Sequence, residues 1–175
     1  MTHIFAQSLE RSHAYSDAPW WEEVYREAFP SFHAMQCVRA DGWAQRGGID
    51  RQVFLDDGTV LKIDEKVREE NWPDILLEVW SDRDRKIRGW VIKPLTCDYI
   101  AYAFAPSCVC YLLPFQMLRR AWRQNRKTWW HAYRHVEAEN NGYVTESVPV
   151  PIPVLLEAIS TAMTIHCRTA LVEAA

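Results

Sequence analysis

The stretch that decides the fold runs from residue 48 to residue 67 and reads GIDRQVFLDDGTVLKIDEKV. Two runs rich in apolar and β-branched residues are separated by an Asp-Asp-Gly turn at 56–58. An Asp-Gly pair between two such runs is a strong short-range signal for a β-hairpin. We therefore predict an antiparallel hairpin whose two arms carry Asp50 and Asp64.

The second arm of this hairpin carries an acid and a lysine two residues apart. Side chains alternate between the faces of a strand, so Asp64 and Lys66 share one face at a spacing of about 6.6 Å, and Glu65 points to the other. On matched arms Asp50 need not lie directly opposite Asp64. A bulge or a bend in a strand could bring the two carboxylates together.

The residue types on this face suit phosphate chemistry. Two carboxylates in one pocket repel each other unless a cation lies between them, and oxygen ligands suit Mg²⁺ or Mn²⁺. Such an ion can bind a phosphate and lower the pKa of a bound water. Lys66 could orient the attacking water or neutralise the charge that develops on the phosphate. Together, these groups supply what phosphodiester hydrolysis requires.

The pattern resembles that of the PD-(D/E)XK nuclease superfamily, whose motif is an acid at the end of one strand and acid-x-Lys on its hairpin partner. The matching residues are Asp50, which follows Ile49 in place of the usual proline, and the tripeptide from Asp64 to Lys66. The resemblance covers roughly residues 18–126. It implies a mixed central β-sheet flanked by helices, with a restriction-endonuclease-like core. It also implies that Asp50 and Asp64 bind Mg²⁺ (or Mn²⁺) and that both acids act with Lys66 in catalysis.

Three further acids are candidates for the same site. Glu78 lies in the predominantly apolar segment 76–79 of a predicted strand, where a charge would be costly unless it were paired or bound to a ligand. We therefore add Glu78 to the candidate catalytic residues, the alternative being an exposed strand face. Glu22 and Glu23 lie in the first turn of a predicted helix; the resemblance implies an acid there, but solvated acids also favour the helix dipole.

Apolar periodicity and the positions of proline and glycine locate the other elements. Strands are predicted at 35–39, 74–80, 98–104 and 108–113, and helices at 20–29, from 114 through 126 or beyond, and from 154 to about 170. The strands at 98–104 and 108–113 are nearly continuous apolar runs, so we expect both in the interior of the sheet.

Length and composition predict one α/β domain. The chain has 175 residues, of which 49% are hydrophobic and 25% charged, an ordinary balance for a globular protein. We expect a single nuclease-like domain over residues 1–175. Its core would cover roughly 18–126, and a helical C-terminal extension would cover 127–175.

A basic segment follows the predicted core. Between residues 119 and 134 the chain has six Arg or Lys and no acid. Four of these are candidate contacts for nucleic-acid phosphates, namely Arg119, Arg123, Arg126 and Lys127. Trp129, Trp130 and Tyr133 could stack on unpaired bases. The alternative is a solvated helix face.

Several classes of protein have no support in the sequence. The first residues contain no basic start followed by an apolar run, and no segment approaches the ~18 apolar residues of a membrane span, so we expect no membrane partner. The five cysteines lack a C-x-x-C spacing, which favours free thiols in the cytoplasm. Motifs of P-loop, dinucleotide-binding and α/β-hydrolase proteins do not occur.

These observations favour a Mg²⁺-dependent nuclease, endo- or exonucleolytic, acting on DNA rather than RNA. A structure-specific, repair-type, phage or defence role fits a chain without room for a separate recognition domain. The alternative is a nonenzymatic module that keeps the fold and binds nucleic acid or protein. The net charge of −3 argues against general adhesion to polyanions but allows a bipolar surface. The sequence is also compatible with a homodimer.

Overall fold

The structure, a computed structural model, describes residues 18–164. Its helices and strands follow in chain order: α1 (Trp20–Ala28), β1 (Phe32–Cys37), α2 (Gly42–Gly47), β2 (Arg51–Leu55), β3 (Val60–Arg68), β4 (Asp74–Asp82), β5 (Ile87–Arg88), β6 (Tyr99–Phe104), β7 (Val109–Pro114), α3 (Phe115–Ala132), β8 (Val136–Asn140), β9 (Tyr143–Pro151) and α4 (Ile152–Met163). A short 3₁₀ turn joins β6 to β7. Within the described range, none of the helices has the length and apolar character needed to cross a membrane.

The first sheet contains the predicted hairpin. Its five strands lie in the order β1-β2-β3-β6-β7, and all neighbours are antiparallel except β3 and β6, which run parallel. The turn between β2 and β3 places Gly58 at φ 83°, a backbone conformation that favours glycine. The predicted α/β class, with a mixed sheet and flanking helices, is confirmed.

A second sheet was not predicted from the sequence. It has four antiparallel strands in the order β5-β4-β9-β8. The hairpin β8–β9 lies in the segment 127–175, which we expected to be helical. Strand β9 was not predicted because it contains Pro149 and Pro151, which lack the N–H that a strand residue donates to its neighbour. Both pair with β4, Pro149 with Leu76 and Pro151 with Asp74, and both lie beyond Ser147, where pairing with β8 ends.

Two expectations about individual elements were wrong. Residues 42–47 form α2, which ends at Gly48 in the left-handed conformation, so β2 begins at Arg51 rather than at residue 48. Strand β7 lies at the edge of the first sheet, not in its interior. Its apolar run is explained by burial on both faces, since Leu113 packs into one core and Leu112 against the other.

The last predicted helix is described only in part. It begins at Ile152, slightly earlier than expected, and the structure describes it to Met163. The remainder of the predicted helix, to about residue 170, lies outside the described residues. The described part of α4 contacts α3, β4 and β9 and so packs against the second sheet.

The two faces of the first sheet belong to different cores. Helix α1 covers one face, where Trp21 and Tyr25 pack with Val53 and Ile63. The other face joins the second sheet and helices α3 and α4 in a larger core. Successive side chains of β3 point to opposite faces, and Ile63 faces α1. Asp64 and Lys66 therefore point away from α1, toward the second sheet. The prediction that Asp64 and Lys66 share a face is consistent with this packing.

Candidate active site

The hairpin register brings Asp50 beside Asp64. Arg51 pairs with Ile63, and the pairing shows no irregularity along β2 and β3. The backbone amide of Asp50 donates to the carbonyl of Ile63 at 2.9 Å, so Asp50 and Arg51 both lie opposite Ile63, as in a β-bulge. Asp50 therefore lies next to Asp64 across the hairpin. A bulge at the start of β2, one of the two irregularities that we had suggested, accompanies this approach.

The carboxylate of Asp50 is held by two donors. Its Oδ2 accepts a hydrogen bond from the backbone amide of Glu65 at 2.9 Å. Its Oδ1 accepts one from Nε of Arg39 at 3.0 Å. The side chain is 20% exposed. Asp50 is thus a fixed, partly accessible anion at the start of β2.

Asp64 is the most strongly perturbed carboxyl group of the site. Its side chain is only 7% exposed, and its Oδ1 lies 2.8 Å from Nζ of Lys66. Burial raises the pKa of Asp64 to about 6; the charge of Asp50 and a hydrogen bond with it act in the same direction, against the opposing effect of Lys66. The buried carboxyl group of Asp64 thus lies beside the partly accessible one of Asp50, and a proton or a cation would relieve their repulsion.

Lys66 remains a cation in this position. Burial acts to lower its pKa, but the negative charges of Asp64, Asp50 and Glu78 outweigh burial and leave the pKa raised. The ammonium lies 5.6 Å from the centre of the Trp90 ring. With its side chain 27% exposed, Lys66 can present positive charge to a ligand. It cannot serve as a base near neutral pH.

Asp64 and Lys66 open into a cavity of about 420 Å³. The residues lining it are Gln45, Arg46, Gly48, Asp64, Lys66, Glu78, Trp90, Lys93 and Leu95. Arg46 and Lys93 add positive charges that the sequence analysis did not identify. They come from α2 and from the loop after β5, and no local pattern links those segments to the hairpin. Only the tertiary structure brings them to the site.

Glu78 reaches this cavity from the second sheet. The pairing of β4 with β9 shifts between Glu78 and Trp80, which is the signature of a bulge. Gly89 lies against this bulge, and a Cβ built on it would be 2.2 Å from the Glu78 carbonyl oxygen. Our prediction that Glu78 faces the site is consistent with this position. Glu22 and Glu23 are exposed on α1 and do not line the cavity.

A second ionic network lies behind β3, on the α1 side. Glu65 accepts hydrogen bonds from Nε of Arg51 and from the hydroxyl of Tyr25, the latter at 2.8 Å. Nη2 of Arg39 lies 3.9 Å from Oε2 of Glu65. Burial raises the pKa of Glu65, although Arg51 and Tyr25 oppose the change. Sequence alternation placed Glu65 on this face, but nothing in the sequence identified its partners.

The donor set of Asp50 and Asp64 fits a hard divalent cation. Both residues carry carboxyl groups and lie next to each other, and the pKa of Asp64 is raised mainly by burial, with the charge of Asp50 acting in the same direction. Between residues 18 and 164, no group of three or more His, Cys, Asp or Glu side chains is arranged to hold a metal ion. Mg²⁺ does not require such a group, since it is commonly bound through one or two carboxylates and retains several waters.

The predicted basic residues line a separate groove of about 680 Å³, here called the basic groove. Its lining comprises Val79, Trp80, Arg88, Val91, Ile92, Arg119, Trp122, Arg123, Arg126, Lys127, Trp130 and His131. All four candidate phosphate contacts are among them. Trp129 is not, because it is buried against Trp122 in the core, and Tyr133 is also absent from the lining. Trp80 and Arg88 were not identified from the sequence.

The cavity lined by Asp64 and the basic groove have lining residues from the same loop. Trp90 and Lys93 line the cavity, whereas Val91 and Ile92, from the same loop, line the groove. Cys97 is buried in the core, and burial, followed by the charge of Asp64, raises its pKa to about 12.

Comparisons of the chain with protein-family models, with curated proteins and with solved structures find no match. The functional interpretation therefore depends on the geometry of the chain's own residues.

Proposed function

We propose that this protein is a metal-dependent phosphodiester hydrolase that cuts nucleic acid, DNA in preference to RNA. The observation that carries the proposal is the contact between the Asp50 and Asp64 carboxyl groups, with the Lys66 ammonium 2.8 Å from Asp64 beside an open cavity. A restriction-endonuclease-like core is part of this proposal, because the acid-x-Lys motif lies on the expected hairpin.

The metal would be held by Asp50 and Asp64. When bound there, Mg²⁺ or Mn²⁺ supplies a Lewis acid for a phosphate oxygen and lowers the pKa of a bound water. Arg39 and the Glu65 amide hold Asp50 in place, which fixes one ligand before the substrate arrives. Repulsion between the two carboxylates makes binding of a cation more favourable.

Lys66 and Glu78 act from the walls of the cavity. The raised pKa of Lys66 keeps Nζ protonated, so the ammonium stabilises negative charge that develops on the phosphate. Glu78 belongs to the same cavity, and no hydrogen bond joins its carboxylate to another described residue. Its oxygens are free to orient a water molecule or accept its proton. Arg46 and Lys93 attract the phosphate to the cavity entrance.

The second candidate function is a nonenzymatic binding module. The observation that favours it is that both oxygens of Asp50 already accept hydrogen bonds and Asp64 already pairs with Lys66. Such a network could stabilise the hairpin without a metal. The basic groove would then bind nucleic acid or an acidic protein surface, and no bond would be cut.

The deciding experiment is a cleavage assay with purified protein. Single-stranded, duplex and branched DNA and RNA are incubated with Mg²⁺, with Mn²⁺ and with chelator. We expect metal-dependent cleavage that falls at least ~10²-fold in Asp64→Asn and in Lys66→Met, the scale of losing one preorganised electrostatic group. Asp84→Asn and Lys86→Met make the same changes in an exposed turn and should cut normally.

Two results would overturn the hydrolase proposal. One is cleavage at the wild-type rate by Asp64→Asn, or cleavage that persists in chelator. The other is tight binding of the panel with no cleavage under any metal condition, which would favour the binding module.

A further inference from the structure

We propose that the basic groove binds a single-stranded segment of nucleic acid, with unpaired bases stacked on Trp80 and Trp130. Phosphates would contact the arginines of α3. This inference rests on the proposed function, because it names the substrate class of the same site: strands with unpaired nucleotides beside the bond that is cut.

The basic groove carries a concentration of positive charge that favours binding of an anion. It is lined by five cationic side chains, Arg88, Arg119, Arg123, Arg126 and Lys127, and among the described lining residues there is no Asp or Glu. None of the five forms an ion pair with a described carboxylate. Burial and the charge of Arg123 lower the pKa of Arg119. Cations crowded in this way gain most from a polyanion that neutralises several of them together.

Two indole rings give the groove its second property. Trp80 comes from β4 and Trp130 from α3, and both are partly exposed on the groove lining. His135 holds Trp130 in place, because its ring lies 4.0 Å from the indole and its Nε2 hydrogen-bonds to the Trp130 carbonyl. Glu146 in turn hydrogen-bonds to Nδ1 of His135 at 2.7 Å. A fixed aromatic ring loses little conformational freedom when a base stacks on it.

The combination favours unpaired bases over a duplex. In a duplex, both faces of each internal base are covered by its neighbours, so an indole can stack on it only after the base is extruded. The groove volume of about 680 Å³ is that of a pocket, within the range of ~300–1,000 Å³ that suits ligands of nucleotide size. Phosphate contacts alone would not require Trp80 and Trp130 to border the same space as the arginines.

Consecutive residues of β4 line the cavity and the groove. Glu78 lines the active-site cavity, while Val79 and Trp80, the next two residues of β4, line the groove. A strand stacked on Trp80 would therefore lie two positions along β4 from Glu78, which lines the cavity together with Asp64 and Lys66.

Binding in chelator tests this inference without requiring cleavage. A fluorescent single-stranded oligonucleotide, its duplex and its abasic counterpart are titrated against wild-type protein, as DNA and as RNA. We expect the single strand to bind at least ~10-fold more tightly than the duplex. Trp80→Leu and Trp130→Leu should each weaken single-strand binding by about 5- to 100-fold, the scale of one stacked base, and leave abasic binding unchanged.

Matched controls separate stacking and charge from general damage. Trp43→Leu removes an indole that is 49% exposed and outside the groove, and it should bind normally. Arg123→Gln should reduce the slope of log affinity against log salt by about 0.7, one phosphate contact to a single strand. Arg120→Gln changes a neighbouring arginine of α3 that does not line the groove, so its slope should stay at the wild-type value.

Photo-cross-linking uses only wild-type protein, so its result does not depend on whether the variants fold. A single strand carrying 5-iodouracil should cross-link to peptides that contain Trp80 or Trp130. Cross-links confined to other peptides, or duplex binding as tight as single-strand binding, would overturn the inference. Protein that binds single strands as expected but never cuts would refute only the hydrolase. Protein that cuts but whose binding is insensitive to Trp80 and Trp130 would refute only this inference.

Discussion

Arg39 donates a hydrogen bond from Nε to Oδ1 of Asp50 at 3.0 Å. The same guanidinium approaches Glu65, whose backbone amide donates to the other oxygen of Asp50. Glu65 points to the opposite side of β3 from Asp64, so Arg39 connects the network behind the strand to the candidate metal ligand. Arg39 therefore positions Asp50 without itself lining the cavity.

Replacing Arg39 with Gln should weaken metal dependence while leaving the fold intact. Loss of a group that orients a metal ligand typically costs about 10- to 100-fold in metal affinity or activity. We expect the Mg²⁺ concentration for half-maximal cleavage to rise by that factor, with a smaller loss of rate at saturating metal. Titration of cleavage against Mg²⁺ measures the effect, and Arg39→Lys should recover part of it. A loss of rate that no amount of metal restores would contradict a positioning role.

The buried pair of Arg51 and Glu65 should be needed for stability. Arg51→Met leaves the Glu65 carboxylate buried with Tyr25 and a more distant Arg39, and breaking a buried pair in this way costs about 3 to 5 kcal/mol. Urea denaturation measures the change in the free energy of unfolding. Adding Glu65→Gln to Arg51→Met should recover much of the loss.

The exposed pair of Glu22 and Arg26 provides the control for this measurement. It joins two residues one helical turn apart, with both side chains about half exposed. Arg26→Met should therefore cost no more than about 0.5 kcal/mol. Equal losses for Arg26→Met and Arg51→Met would show that burial of the Glu65 network contributes nothing.

Asp64 should make the metal-free protein less stable as pH rises. Its pKa is raised from 3.8 to about 6 in the folded protein, so the folded state binds the proton more tightly than the unfolded state. The stabilisation is complete below the unfolded pKa and is lost as pH rises through the folded one, a change of at most about 3 kcal/mol. Urea denaturation in chelator at a series of pH values measures it.

Asp64→Asn provides the comparison. The free energy of unfolding of this variant should not fall as pH rises through the pKa of Asp64, and above pH ~6 the variant should be more stable than wild type. Added Mg²⁺ should stabilise wild type but not the variant, because only wild type keeps the ligand charge. Parallel pH profiles for the two proteins would mean that the Asp64 charge is already compensated by Lys66.

The parts of the fold that sequence predicts are those set by local signals. The hairpin that carries Asp50 and Asp64 follows from alternation and an Asp-Gly turn, and the helical periodicity of α3 places its arginines on one side. The pairing of β4 with β9 depends instead on residues far apart in sequence, and Pro149 argues against a strand at that position. For the same reason Arg39 and Trp80 were missed, since each acts through a partner that only tertiary packing brings near.

Gly89 should be required for the position of Glu78. A Cβ at residue 89 would lie 2.2 Å from the carbonyl oxygen, 2.5 Å from the carbonyl carbon and 2.8 Å from Cγ of Glu78. Backbone atoms cannot move away as a flexible side chain can, so Gly89→Ala must displace the bulge of β4 and with it the Glu78 carboxylate. Overpacking of this kind costs about 1 to 3 kcal/mol.

The functional expectation is that Gly89→Ala and Glu78→Gln lower cleavage by similar factors, while Glu78→Gln leaves stability nearly unchanged. Cleavage assays and thermal unfolding of both variants provide the comparison. Gly42→Ala is the matched control, because only the end of the flexible Arg46 side chain, at 3.8 Å, approaches the position of its Cβ, and alanine favours the helix that starts there. If Glu78→Gln cuts normally, Glu78 has no part in the reaction, and Asp50 and Asp64 must be sufficient. If only Gly89→Ala cuts normally, the position of Glu78 does not depend on a glycine at residue 89.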